Sequence, residues 1–201
     1  MVRLKGVFVK QWLAIGTAIF IVAVGVYAGV RASRTGTVPQ EFLDARRDAA
    51  SVGTQIVDLT RQTGEKIRAV NYTDRSGNVD QAVAFIGEAK ALNQSAYTQA
   101  FELTRHLQRL ANSLTSMGAS DLRGKAYDAI SVELALVSEF ILYTQKLNIF
   151  LEHLSRAIAT GLPADRSTTD AALKEANEQG LKINAINEEF LSKMNAFDSS
   201  L

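Results

Sequence analysis

Apolar residues recur in alternating steps of three and four through most of the chain. From Phe42 the series runs Ala45, Ala49, Val52, Ile56, Leu59, Thr63, Ile67 and Val70. Such alternation is the repeat of a helix that packs along one stripe, as in a coiled coil, and it predicts a helix over 39–70. A second series, Val79, Ala82, Ile86, Ala89, Asn93, Ala96, Ala100, Leu103, Leu107, Leu110, Leu114 and Met117, predicts a helix over 78–117. The third, Leu122, Ala126, Ala129, Glu133, Leu136, Phe140, Tyr143, Leu147, Phe150, Leu154 and Ala157, predicts 121–160. Beside it runs a second stripe of Ile130, Leu134, Val137, Ile141, Leu151 and Ile158. We read that wider face as burial within a bundle, with an oligomer contact as the alternative. The fourth series, Leu173, Ala176, Gly180, Ile183, Asn187, Phe190, Met194 and Phe197, predicts 167–197 and leaves 198–201 as a frayed tail.

The interruptions set the topology. YTDRSG at 72–77 and GLPADR at 161–166 are turn-rich, and Gly118-Ala119-Ser120 is long enough only to reverse the chain. Thr37 with Gln40 has the spacing of a capping box, with Pro39 in the first turn. Short connections make neighbouring helices antiparallel. Side-chain size agrees: the first predicted helix is small early (Ala45, Ala49) and large late (Ile56, Ile67). The second is also small early (Ala82, Ala89) and large late (Leu107, Leu114). Antiparallel pairing sets large against small and fills space evenly. The expected domain, residues 39–197, is an all-α, up-down-up-down four-helix bundle. Its 72–77 and 161–166 loops lie at the end far from the N-terminus.

A different pattern precedes it. Trp12 to Val30, WLAIGTAIFIVAVGVYAGV, carries no charge and no proline. Its nineteen residues would span ~28 Å as a helix, close to the ~30 Å of a bilayer's hydrocarbon core. We read 12–30 as a single-pass transmembrane helix, a retained signal-anchor rather than a cleaved leader. Residues 1–11 form a short basic tail before it and 31–38 a polar linker after it. Trp12 and Tyr27 lie near the ends, where aromatic rings favour the headgroup region. Gly25 and Gly29, with Ala14 and Ala18 a step earlier, form a candidate membrane-helix dimer face, because small residues let helices approach closely in lipid.

Charge divides at the same boundary. Residues 1–37 hold Arg3, Lys5, Lys10, Arg31 and Arg34 and no acid, whereas the remainder has 17 basic and 21 acidic residues. The flanking charges favour an N-terminus inside and a bundle on the extracytoplasmic side. A weakly acidic domain without a clustered basic face argues against nucleic-acid binding. The absence of cysteine removes disulfides, thiolate metal sites and cysteine nucleophiles. The two histidines, His106 and His153, lack the Glu-x-x-His spacing of a di-iron bundle. No nucleophile elbow or nucleotide-binding glycine loop occurs. The reading is therefore of a non-enzyme without cofactor or metal.

The polar residues on or beside the seams are the remaining candidates. Counted outward from the turns, Asn93 falls level with Gln145, Asn148 with Gly180, and Arg105 with Glu133. This predicts a buried polar layer of Asn93, Gln145, Asn148, Glu133 and Arg105, with an Arg105–Glu133 ion pair. Such groups fix register at a cost in stability; a small-ligand pocket is the other reading. Two functions remain open. One is a membrane-anchored scaffold or protein-interaction module, whose partners are the bilayer, another protein and a second copy of the chain. The other is an extracytoplasmic ligand-binding sensor that signals through a partner membrane protein.

Overall fold

The computed structural model describes residues 38–118 and 120–200, and among these every regular element is helical. Helix α1 spans Gln40–Ser76, α2 Val79–Ser113, α3 Ser120–Thr160 and α4 Pro163–Asp198, with a 3-10 turn at Leu114–Ser116 after α2. The four helices pack together.

The helix ends differ from the sequence expectation, and side-chain hydrogen bonds explain why. The YTDRSG stretch is the last part of α1 and not a loop. Thr73 Oγ1 donates back to the Ala69 and Val70 carbonyls, and Ser76 Oγ to that of Thr73. These polar side chains therefore satisfy the helix instead of breaking it. The stop is Gly77, whose φ of 79° is left-handed. Its N–H donates to Asp74 O and that of Asn78 to Thr73 O, each at 3.0 Å, the paired bonds of a Schellman motif. Asn78 then caps α2, with its Oδ1 accepting from the Gln81 N–H at 3.1 Å. At the other end, α2 tightens into the 3-10 turn instead of running to 117.

Helix α4 starts at Pro163, earlier than the expected 167. Proline suits a first helical position, where no N–H is needed. Gly161 (φ 68°) closes α3 by donating to Ala157 O at 2.9 Å. Thr160 Oγ1 accepts from the Leu162 N–H at 3.2 Å and donates to Asp165 Oδ2 at 2.6 Å. The tail expected to fray is tied down: Asp198 belongs to α4, and the N–H groups of Ser199 and Ser200 bond to the carbonyls of Asn195 and Phe197. Pro39 precedes α1 and supplies the carbonyl that Phe42 and Leu43 use.

The described residues form two compact units, one of 58–97 and 141–182, the other of 38–57, 98–140 and 183–200. In the first, Ile67, Val70, Ile86, Ala89, Leu147, Phe150, Leu151, Leu173 and Ala176 are buried. Asn93 Nδ2 donates to the Thr144 carbonyl at 2.7 Å within this core. Lys66 pairs with Glu88, Lys90 with Glu152 and Lys146 with Glu175 across neighbouring helices. Lys90 and Glu152 lie at similar distances from the turns at 77–78 and 161–162, so both turns sit at one end of this unit.

In the second unit the core is Ile56, Leu103, Leu107, Leu110, Leu114, Met117, Leu136, Phe140, Ile183, Phe190 and Phe197. Each such side chain contributes about 1.5–3 kcal/mol through burial. By length and composition α3 is apolar enough to cross a membrane, with a mean hydropathy of 1.2 in its best window. A helix that buries much of its surface among three others passes the same test. Of its second stripe, Ile130, Val137 and Leu151 are buried and Leu134, Ile141 and Ile158 half-buried. Residues 1–37, with the expected span at 12–30 and the Ala14, Ala18, Gly25 and Gly29 face, lie outside the described residues.

Candidate functional site

In the second unit three helices place side chains at one-turn and two-turn spacings around a shared space. Helix α1 supplies Phe42, Arg46, Ala49 and Ala50; α3 supplies Ala126, Ala129, Ile130 and Glu133; α4 supplies Phe190, Met194 and Phe197; Leu110 of α2 completes the wall. Residues at i, i+3, i+4 and i+7 share a helical face, so each set converges on one point. Small faces small here: the alanines of α1 meet those of α3, and a cavity of about 40 Å³ remains, partly open to solvent.

Its polar end is built from two groups. Glu133 is 6% exposed, and burial pushes its carboxyl up to about 7, against the downward pull of the nearby Arg46 guanidinium. Arg46 is held elsewhere. Its Nη1 lies 2.9 Å from Asp198 Oδ1, its Nη2 donates to Oδ2 at 3.0 Å, and its Cζ sits 5.7 Å from the Phe197 ring centroid. The Phe197 ring in turn packs on Phe42 at 5.6 Å and 53°. Arg46 and Asp198 are 11% and 16% exposed, so the pair is largely desolvated and its attraction little screened.

Comparison with family models, curated proteins and solved structures finds no match to this chain. What the protein does must therefore be read from its own geometry. Among the described residues, Glu133 and Arg46 are the ionisable ones that line the cavity. A carboxyl that titrates near neutrality beside a fixed cation can hold a proton or accept a hydrogen bond from a small donor. Among the described residues no group of three His, Asp or Glu side chains is placed to hold a metal ion. His106 Nδ1 lies 3.1 Å from Arg109 Nη2 and 3.9 Å from Asp48. His153 lines a shallow groove of the first unit with Lys146, Ile149, Thr168 and Glu175.

The expected polar layer does not assemble. Asn93 and Glu133 are buried, but in different units. Arg105 is a correction: its side chain is 73% exposed and bonds to Glu102 at 2.8 Å. It does not reach Glu133, whose cation is Arg46. Gln145 is exposed, and Asn148 is half-buried and donates to Glu152 at 3.0 Å. The common cause is azimuth. Counting from the turns gives height along a helix but not the direction a residue faces. Arg105 lies between the buried Leu103 and Leu107, and Gln145 between Tyr143 and Leu147, so each faces away from its seam. Sequence reasoning missed Arg46 and Asp198. The available signal was that each directly follows a seam residue, Ala45 and Phe197 respectively.

Proposed function

We propose that the protein is a non-catalytic helical scaffold, anchored in a membrane by residues 12–30, that holds a partner protein against its helical surface. The uncharged stretch and the basic residues around it support the anchor and an extracytoplasmic placement of the helices. The small-residue face at Ala14, Ala18, Gly25 and Gly29 supports pairing of two anchors. In this reading the helices continue into one antiparallel up-down-up-down bundle.

The distribution of exposed apolar side chains carries the interaction reading. Of nine large apolar residues left exposed among the described ones, seven belong to the first unit: Tyr72, Val79, Val83, Leu142, Ile149, Leu162 and Leu181. Tyr72, Val79 and Leu162 flank its two turns, and Tyr72 and Leu181 are 73% and 64% exposed. Apolar surface left in water is unfavourable, and the exposed residues beside the two turns support contact with another molecule there. The test replaces Tyr72, Leu162 or Leu181 with a photo-crosslinking amino acid in the full-length protein in cells. Discrete protein adducts are expected at these positions and not at Arg105. Adducts nowhere, or equally at 105, would refute the reading.

A further inference from the structure

Solvent-facing positions of a helix ordinarily carry charge. Helix α1 exposes Asp44, Arg47, Arg61 and Glu65, and α4 exposes Lys174, Glu178 and Glu188. Helix α3 departs from this. Its exposed residues from 131 to 149 are Ser131, Ala135, Ser138, Leu142, Gln145 and Ile149, and none of them is charged. They follow one another in steps of four and three, which makes a single line along one unbroken helix. Leu142 and Ile149 are 44% and 49% exposed. Ser138 turns its hydroxyl back onto the Leu134 carbonyl at 2.9 Å and so offers its surroundings little polarity. The line is distinct from the second stripe of α3, where Ile130, Val137 and Leu151 are buried.

What flanks the line decides what fits it. Glu139 and Lys146 lie within about a turn of Leu142, one before it and one after, and helical periodicity puts both on the same side, where Lys146 reaches Glu175 of α4. Farther out, Asp128 and Arg156 stand at equal distances before and after Leu142, and so do the small Ala135 and the large Ile149. The pattern is therefore its own complement when reversed. A twofold axis through Leu142 sets Leu142 on Leu142, Ala135 on Ile149, and each acid level with a base of the other copy. Parallel pairing in register brings each charge level with its like, which opposes association. We propose that this outer line of α3 binds the same line of a second copy, antiparallel, about a twofold axis at Leu142. Burial of Leu142 and Ile149 supplies the attraction, and the opposite charges beside the line set direction and register. The contact belongs to α3 alone. It goes beyond the partner reading, which concerns the surface beside the turns, and stands without it.

The chain has no cysteine, so single thiols can be introduced without background. The test uses the full-length chain in detergent micelles and a thiol-specific crosslinker spanning ~8–10 Å, the separation of packed helix axes. Leu142→Cys should give a covalent dimer, and Gln55→Cys, at an exposed position of α1, should give none. A mixture of Ala135→Cys with a size-tagged Ile149→Cys should give the mixed dimer in higher yield than either variant gives with itself. Adding Ile149→Glu, an exposed change that leaves the core untouched, should abolish the dimer of Leu142→Cys while helical circular dichroism stays as in the parent. Four results would overturn the proposal: no dimer from Leu142→Cys, as much dimer from Gln55→Cys, Ala135→Cys and Ile149→Cys each dimerising alone as readily as together, or a Leu142→Cys dimer that survives Ile149→Glu. None of these bears on the adducts expected at Tyr72, Leu162 and Leu181, so the two readings fail separately.

Discussion

Burial holds the Glu133 carboxyl at about 7, whereas an unfolded chain releases that proton near about 4.3. The folded state therefore binds the extra proton between these values. The stability this group contributes is complete below the lower value and is lost as pH rises through the upper one, a change of ~3 kcal/mol. Thermal unfolding should show a Tm that declines from pH 5 to pH 8 in the parent chain and stays level in Glu133→Gln. Parallel curves would show that the acid is not the source. That Glu133 lies inside was legible, since it falls on the third seam between Ala129 and Leu136. Its counter-charge was not, because a seam gives depth and height but does not say which neighbour's off-seam residue folds inward. Arg46 does so by laying its guanidinium along Phe197, and Arg105, at the height expected, points into solvent.

Among the elements, the seams were the most readable feature and the ends the least. Thr73, Ser76 and Asp165 belong to residue types that favour turns, yet each is used within or beside a helix end through a local bond. Only the bonds, not the residue types, show which role applies. Two glycines allow this scale to be tested. Gly77 stands at a φ of 79°, so Gly77→Ala should cost about 1 kcal/mol, read as a lowered denaturant midpoint at unchanged slope. Gly180 is a helical residue with ordinary backbone, and a Cβ there would meet only Tyr143 Cε2, at 3.9 Å. Gly180→Ala should therefore raise stability by about 0.5–1 kcal/mol, measured the same way. A loss instead would show that the glycine serves a purpose other than space, since 3.9 Å is an ordinary contact.

At the scale of the whole chain, the proposed anchor at 12–30 can be tested apart from the helices. Alkaline carbonate washing should leave the full-length protein in the membrane pellet, and removal of 12–30 should move it to the supernatant. A full-length chain that washes off would refute the anchor. The all-helical class was legible because four seams repeat over most of the sequence and few residues interrupt them. The cavity was not, because it arises where alanines of two helices distant in sequence line one space, and side-chain size along the chain speaks only to helices joined by a short turn. The clasp between Arg46 and Asp198 has one more consequence. A chain shortened by its last four residues would lose more than length: the guanidinium would turn to its other suitor, Glu133, and that acid would then give up its proton in more acidic solution. The final turn would thus set, from a distance of many residues, how sour the medium must be before the interior of another helix becomes neutral.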